Sequence, residues 1–221
     1  MKANVLMKEK EIEQIGNSFD DDACSFCDDF KKSGLVKSSQ ILLDELTTLG
    51  IRGKRLLDLG CGVGSFSFKA LERGVTSTAG FDLSSIMIGT ASRLSEERGV
   101  KERASFRRDD AAKAALPESE IVVLDKSMCC YPNIDELLDN SSNASREYYS
   151  FILPRSDTKI SRIIATFVVS IGNLLSKITS QSRTYIHNIR KIDRVLTSRN
   201  FERVFRETSG MWLILIYRRI P

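Results

Sequence analysis

The chain of 221 residues contains one histidine, His187, which excludes a multi-histidine metal site. It has four prolines and no compositionally biased tract, so no long disordered region is expected. No apolar run approaches the roughly 20 residues that span a bilayer. There is no internal repeat. The N-terminus, residues 1–14, is charged where a signal peptide is apolar, so a cytoplasmic location is expected. In that compartment the five cysteines read as reduced thiols. No Gly-Lys-Ser/Thr run occurs, which excludes a phosphate-binding P-loop.

What is present is an ordinary globular composition, 42% hydrophobic and 28% charged. The length suits one domain of generous size. The net charge of +4 hides an asymmetry. From Arg146 onward there are 14 Lys/Arg and 5 Asp/Glu, a net +9, so the first 145 residues carry −5. A basic C-terminal part either is a solvated face or meets an anionic substrate, nucleic acid or a membrane surface.

Residues 1–50 read as a polar helical cap, with Ile41, Leu42, Leu43, Leu46 and Leu49 as a short apolar stripe. Strands and helices then alternate. Strands are expected at 55–59, 77–81, 103–107, 120–124 and 148–153, with helices at 65–73, 84–98 and 132–138 between them. That order implies βαβ units, a parallel sheet and right-handed connections. Over 160–178, nine apolar residues from Ile160 to Ile178 repeat at steps of three and four. This predicts an amphipathic helix over about 159–180 that covers the cleft, lies on a membrane surface or packs on the sheet. A helix over 187–198 and two strands, 201–206 and 211–217, close the chain as an antiparallel hairpin around Ser209-Gly210.

The strongest chemical signal is Leu56-Leu57-Asp58-Leu59-Gly60-Cys61-Gly62-Val63-Gly64, a buried strand running through a glycine-rich turn into a helix. In an open α/β sheet this carboxyl edge is where ligands bind. Asp82 ends the second strand, where a carboxylate can accept both hydroxyls of a ribose. Asp110-Ala111 follows the third, where an acceptor can meet an adenine amino group. A dinucleotide fingerprint starting at Gly60 would require glycine at Ser65, so that reading fails on spacing.

Asp58-Leu59-Gly60-Cys61-Gly62-Val63-Gly64, Asp82, Phe106-x-x-x-Asp110-Ala111 and Ile121–Asp125 resemble the successive motifs of class I S-adenosylmethionine-dependent methyltransferases. The resemblance covers roughly residues 50–220. It implies a Rossmann-like, seven-stranded, mostly parallel sheet with helices on both faces and the last strand inserted antiparallel. It also implies S-adenosylmethionine as cofactor. Asp58 and the turn Gly60, Cys61, Gly62 and Gly64 would hold its methionine part, and Asp82 and Leu83 its ribose. Asp110 and Ala111 would flank adenine, and Asp125, Lys126 and Ser127 would face the donor from the fourth strand. A finer likeness links Cys130-Tyr131-Pro132 and Arg183-Thr184-Tyr185-Ile186-His187 to magnesium-protoporphyrin IX O-methyltransferases and their relatives.

Methyl transfer from a sulfonium is an in-line displacement, so alignment is the enzyme's main contribution. A small-molecule acceptor, apolar or anionic and methylated at a carboxylate or hydroxyl oxygen, is the first reading. A carboxylate needs no base. For a hydroxyl, His187 is the natural base and Tyr131 and Tyr185 orient the acceptor; otherwise His187 only packs at a helix N-terminus. An RNA methyltransferase using the basic C-terminal part and a non-catalytic donor-binding protein are the alternatives. No Pro-Cys pair and no Asp/Asn-Pro-Pro-Tyr run appear, which disfavours methylation of base carbons and base amino groups. Cys24 and Cys27 read as incidental thiols, and the runs Asp20–Asp22 and Asp28-Asp29 as solvated.

Overall fold

The structure, a computed structural model, describes residues 2–156, 166, 170 and 184–220, with backbone alone over 2–9. Three helices come first: α1 (Lys2–Asp20), α2 (Ala23–Ser33) and α3 (Lys37–Thr48). The alternating region follows: β1 (Arg55–Leu59), α4 (Ser65–Glu72), β2 (Ser77–Asp82), α5 (Ser85–Glu97), β3 (Ala104–Arg108) and β4 (Ser119–Asp125). Next are a 3-10 turn (Met128–Cys130), α6 (Ile134–Ala144) and β5 (Ser145–Pro154). The chain closes with α7 (Ile189–Ser198), β6 (Phe201–Ser209) and β7 (Trp212–Arg219). The helix expected over 159–180 and residue Arg183 lie outside the described residues but for two positions of that helix. No helix among the described residues is long and apolar enough to cross a membrane.

The seven strands form one sheet in the order β3-β2-β1-β4-β5-β7-β6. The first five are parallel, and β7 runs antiparallel to both β5 and β6. This is the Rossmann-like sheet with its C-terminal hairpin that the motifs imply. The chain reverses direction across the sheet at β1 and β4, and a ligand crevice opens at such a point.

Each buried strand feeds two cores, because successive side chains point to opposite faces. Leu56, Ile121, Val123 and Ile214 meet Leu42, Leu46 and Phe68 of the N-terminal helices and α4. Leu57, Val122, Leu124 and Leu215 meet Leu138 of α6 and Ile192 and Leu196 of α7. Residues Ile121 to Leu124 are 0% exposed, the signature of a central parallel strand covered on both sides. The stripe read in α3 is this packing: Leu42, Leu43 and Leu46 are buried, while Ile41 and Leu49 are partly so.

The end of α6 corrects the expected boundary. Asp139 to Ser145 contains poor helix formers, so the sequence predicts a stop at Leu138. The helix continues to Ala144 because tertiary partners hold it. Asn140 Nδ2 donates to the carbonyls of Ala111 and Ala114 at 2.9 and 2.8 Å. Arg199 and Arg219 donate to the terminal carbonyls of Leu138, Asp139 and Ser142, where a cation also favours the helix dipole. Part of the C-terminal positive charge is thus tied down internally: Arg203 pairs with Asp193 at 3.1 Å and Arg218 with Glu202 at 2.5 Å.

Candidate active site

The glycine turn is held from both sides of β1. The amides of Gly60 and Cys61 donate to the Phe81 carbonyl at 2.7 and 3.1 Å. The amide of Gly62 donates to Asp82 Oδ2 and that of Ser84 to Asp82 Oδ1, both at 2.9 Å. Asp82 therefore pins the turn to the end of β2, keeping free lone pairs on both oxygens. Gly60, Gly62 and Gly64 have φ of +72°, +52° and +81°. At Gly60 space adds to conformation: a Cβ would sit 2.1 Å from Cβ of Ser127, whose hydroxyl donates to the Leu59 carbonyl at 2.5 Å.

Asp58 lies beneath this turn at 1% exposure. Its Oδ2 accepts from the Ser67 hydroxyl at 2.8 Å, and its Oδ1 has no hydrogen-bond partner among the described residues. Burial pushes the carboxyl up to about 7; the charges of Asp125 and Asp82 add to this, and the Ser67 hydroxyl opposes it. Asp82 is likewise raised, first by burial.

On the third strand's side, Asp109 turns to Arg107 at 3.0 Å, while Asp110 accepts from the Tyr131 hydroxyl at 2.9 and 3.0 Å. Burial and the Asp110 charge hold the Tyr131 hydroxyl well above its usual range, so it stays a donor. Tyr131 was expected to orient an acceptor, but its hydroxyl is committed to the residue assigned to adenine.

These residues line one cavity of about 480 Å³, together with Leu83, Ala111, Asp125, Lys126, Ser127 and Cys130. That volume lies within the range of ligand sites. The opposite wall is apolar and comes from the N-terminal helices and β7: Phe19, Phe26, Leu35, Val36 and Trp212. This wall belongs largely to the helical cap expected over 1–50, whose part in the cavity the sequence does not announce directly. The spacing of Phe19, Phe26 and Phe30 at seven and four was the available signal. Gly16 gives no sequence signal: a Cβ there would lie 2.5 Å from the Leu83 carbonyl oxygen, so α1 rests directly on the loop after β2. Asp20, expected in solvent, accepts from the Ser84 hydroxyl at 2.5 Å and from the Ile86 amide at 3.2 Å, joining α1 to the start of α5.

Lys126 follows the last residue of β4 and lines the same cavity as the glycine turn. Its Nζ donates to Ser39 Oγ at 2.5 Å and to Asp125 Oδ1 at 2.8 Å, and it stands 5.6 Å from the Trp212 ring centre. Ser39 and Trp212 belong to the cap and hairpin side of the cavity.

His187 and Tyr185 are not among the described cavity-lining residues. Helix α7 starts two residues after His187, at Ile189, and its N-cap is Asn188, whose side chain accepts from the Arg190 amide. The His187 Nε2–H donates to the Met128 carbonyl at 3.0 Å, and the Tyr185 amide donates to the Cys129 carbonyl at 2.6 Å. The Tyr185 hydroxyl donates to Glu11 of α1 at 2.8 Å. The segment thus straps the Met128–Cys130 turn, whose Cys130 faces the cavity. The His187 ring is lowered from its ordinary range, first by burial rather than by a helix terminus. All five cysteines are free thiols.

Residues 52–209 match the methyltransferase domain family. Over 139 residues the chain is 26% identical to the ribosomal protein L11 methyltransferase of Histophilus somni, covering 63% of this chain and 43% of that protein. Over 61 residues it is 46% identical to the uncharacterized protein YjhP of Escherichia coli, covering 27% of this chain and 24% of that one. The chain thus spans less than half the length of these curated relatives. Among solved structures, the magnesium protoporphyrin IX methyltransferase of Synechocystis PCC 6803 with bound S-adenosylhomocysteine superposes with a TM-score of 0.69 at 19% identity, covering 93% of this chain and 98% of that one, so the two share a fold. With the glycine turn, the acidic strand ends and the sheet order in place, the chain belongs to the methyltransferase domain family.

Proposed function

We propose that this protein transfers a methyl group to an oxygen atom of an apolar small molecule. One observation carries the reading: the carboxylate-lined cradle and the wall of Phe19, Phe26, Leu35, Val36 and Trp212 belong to the same cavity. The cradle suits the donor, because Asp58 offers a buried carboxylate oxygen without a described donor and Asp82 and Asp110 present acceptors along the same edge. When bound, S-adenosylmethionine supplies a methyl group already activated on a sulfonium.

The chain's own work is positioning. The glycine turn and Asp82 form a rigid cradle, and Tyr131 locks Asp110 in orientation. The cap helices close the opposite side and keep water from the transfer. His187 acts as a positioning residue, holding the Met128–Cys130 turn through the Met128 carbonyl. An acceptor that arrives with an ionised oxygen requires no base from this wall.

Calorimetry with S-adenosylhomocysteine, followed by transfer of tritiated methyl groups to a cell extract, tests the reading. The expected result is micromolar binding and label in an organic-soluble product. Label in the RNA or protein fraction would overturn the acceptor class, and absence of S-adenosylhomocysteine binding would overturn the donor.

A further inference from the structure

The charges on the cavity wall are uneven. Six aspartates line it: Asp29, Asp58, Asp82, Asp109, Asp110 and Asp125. Lys126 is the one basic residue among the described lining residues. Its side chain is about one-fifth exposed. It lies at the junction of the two halves, bonded to Asp125 on the donor side and to Ser39 on the cap side, near the face of Trp212.

Its backbone is unusual as well. Lys126 has φ of +59°, the left-handed region that a branched or long side chain adopts at a cost of about 1–2 kcal/mol. Asn200 is the other described non-glycine residue with positive φ, and it sits in the tight turn before β6. At Lys126 the conformation ends β4 and turns the side chain toward Ser39 and Trp212. The ammonium has three N–H donors, of which Ser39 and Asp125 take two among the described residues. The strained backbone delivers to this cavity an ammonium that is paired with Asp125 and bonded to Ser39 and has a third N–H to offer an anionic ligand.

We infer that Lys126 is the acceptor's anchor and that the acceptor is an apolar acid: a carboxylic acid or an acidic phenol whose ionised oxygen meets the ammonium while its apolar body lies against Phe19, Phe26, Leu35, Val36 and Trp212. This rests on the reading of the cavity's apolar half as the acceptor chamber. It assigns Lys126 to acceptor binding rather than to the donor.

A matched pair of probes tests this without knowledge of the acceptor. 1-Anilinonaphthalene-8-sulfonate and N-phenyl-1-naphthylamine share one aromatic skeleton and differ by the sulfonate. Their binding to the full chain saturated with S-adenosylhomocysteine can be read by energy transfer from Trp212, the chain's one tryptophan. The wild type should bind the anionic probe about 10-fold or more tightly than the neutral one, as expected for a hydrogen bond to a charged group. Lys126→Met should abolish that preference and leave neutral-probe binding within about threefold, and Lys126→Arg should retain the preference. Equal binding of the two probes by the wild type, or a preference that survives in Lys126→Met, would overturn the assignment. So would a loss of S-adenosylhomocysteine affinity in Lys126→Met that matches the loss of the anionic probe. If S-adenosylhomocysteine fails to bind the wild type, the donor reading falls separately, and the probe preference still judges Lys126 on the unliganded chain.

Discussion

The two halves of the cavity are built in different ways. The glycine-turn half is a matter of backbone: three left-handed glycines, amides aimed at Asp82, and carboxylates at the ends of three neighbouring strands. The apolar half, proposed above to take the acceptor, is a matter of side chains, gathered from α1, α2, the loop before α3, the end of β4 and the start of β7. A backbone site tolerates almost no change at its turns and recognises one ligand. A side-chain wall can be altered one residue at a time, so acceptor choice can drift while the donor stays the same. Substitutions in the two halves should therefore separate cleanly.

The largest effect is expected at Gly60. Gly60→Ala adds a Cβ 2.1 Å from that of Ser127 at a φ of +72°. Stability should fall by about 3 kcal/mol or more, or donor affinity by about 100-fold or more, read by urea unfolding and calorimetry. The double variant Gly60→Ala/Ser127→Gly should recover the part due to the clash and none due to φ. Full recovery would show that conformation at Gly60 is unimportant.

Asp58→Asn comes next and acts on binding and stability in opposite directions. Loss of the charge should weaken S-adenosylhomocysteine binding by about 10–100-fold. Without ligand, the folded state keeps the Asp58 proton up to about pH 7, whereas the unfolded chain releases it near 3.8. The wild type therefore loses stability as pH rises from about 4 to about 7, and the full penalty persists above 7. Asp58→Asn removes that penalty and should be the more stable protein at pH 8, by at most about 4 kcal/mol. The advantage should vanish toward pH 4. Wild-type donor affinity should fall as pH drops through about 7. A pH-independent stability difference would remove Asp58 from this role.

Tyr131→Phe tests where the boundary between the halves lies. Because its hydroxyl serves Asp110, donor affinity should fall by about 10-fold with acceptor KM unchanged. The reverse pattern would return Tyr131 to the acceptor. His187→Ala should lower turnover by less than about 10-fold and leave the shape of the pH–rate profile intact, since its ring braces a turn. A drop of about 10²–10⁴-fold would restore it as a general base. The smallest effect belongs to Phe26→Ala: the side chain is 48% exposed, so acceptor KM should rise by a few-fold, with donor affinity and melting temperature nearly unchanged.

Legibility in the sequence followed the same division. The strand Arg55–Leu59 and the turn after it could be read in full, because a buried apolar run and a glycine cluster act over a few residues. Helix α6 was cut short at Leu138 because its last turn is held by Arg199, Arg219 and the Ala111 and Ala114 carbonyls, all distant in sequence. His187, read at the mouth of a helix, sits one residue before the cap Asn188; its contact with the Met128 carbonyl, 59 residues away, is not legible locally. Asp20 read as solvated because nothing local reveals Ser84 as its partner, 64 residues away.

The sequence by itself determined the sheet, its closing hairpin and the glycine turn with its carboxylates, because strand patterning, glycine conformations and carboxylates at strand ends are local properties of short segments. The tertiary structure alone decided which surface faces the cradle. Phe19, Phe26, Val36, Lys126 and Trp212 are separated by as many as 193 positions (212 − 19) and share no motif. They form one wall because α1–α3 must bury their apolar faces, and α3 does so on the sheet beside β7, where Leu42 and Leu46 meet Ile214 and Ile216. Packing of the cap, a long-range consequence of hydrophobic burial, is what turns the glycine turn and its carboxylates into a walled cavity of about 480 Å³.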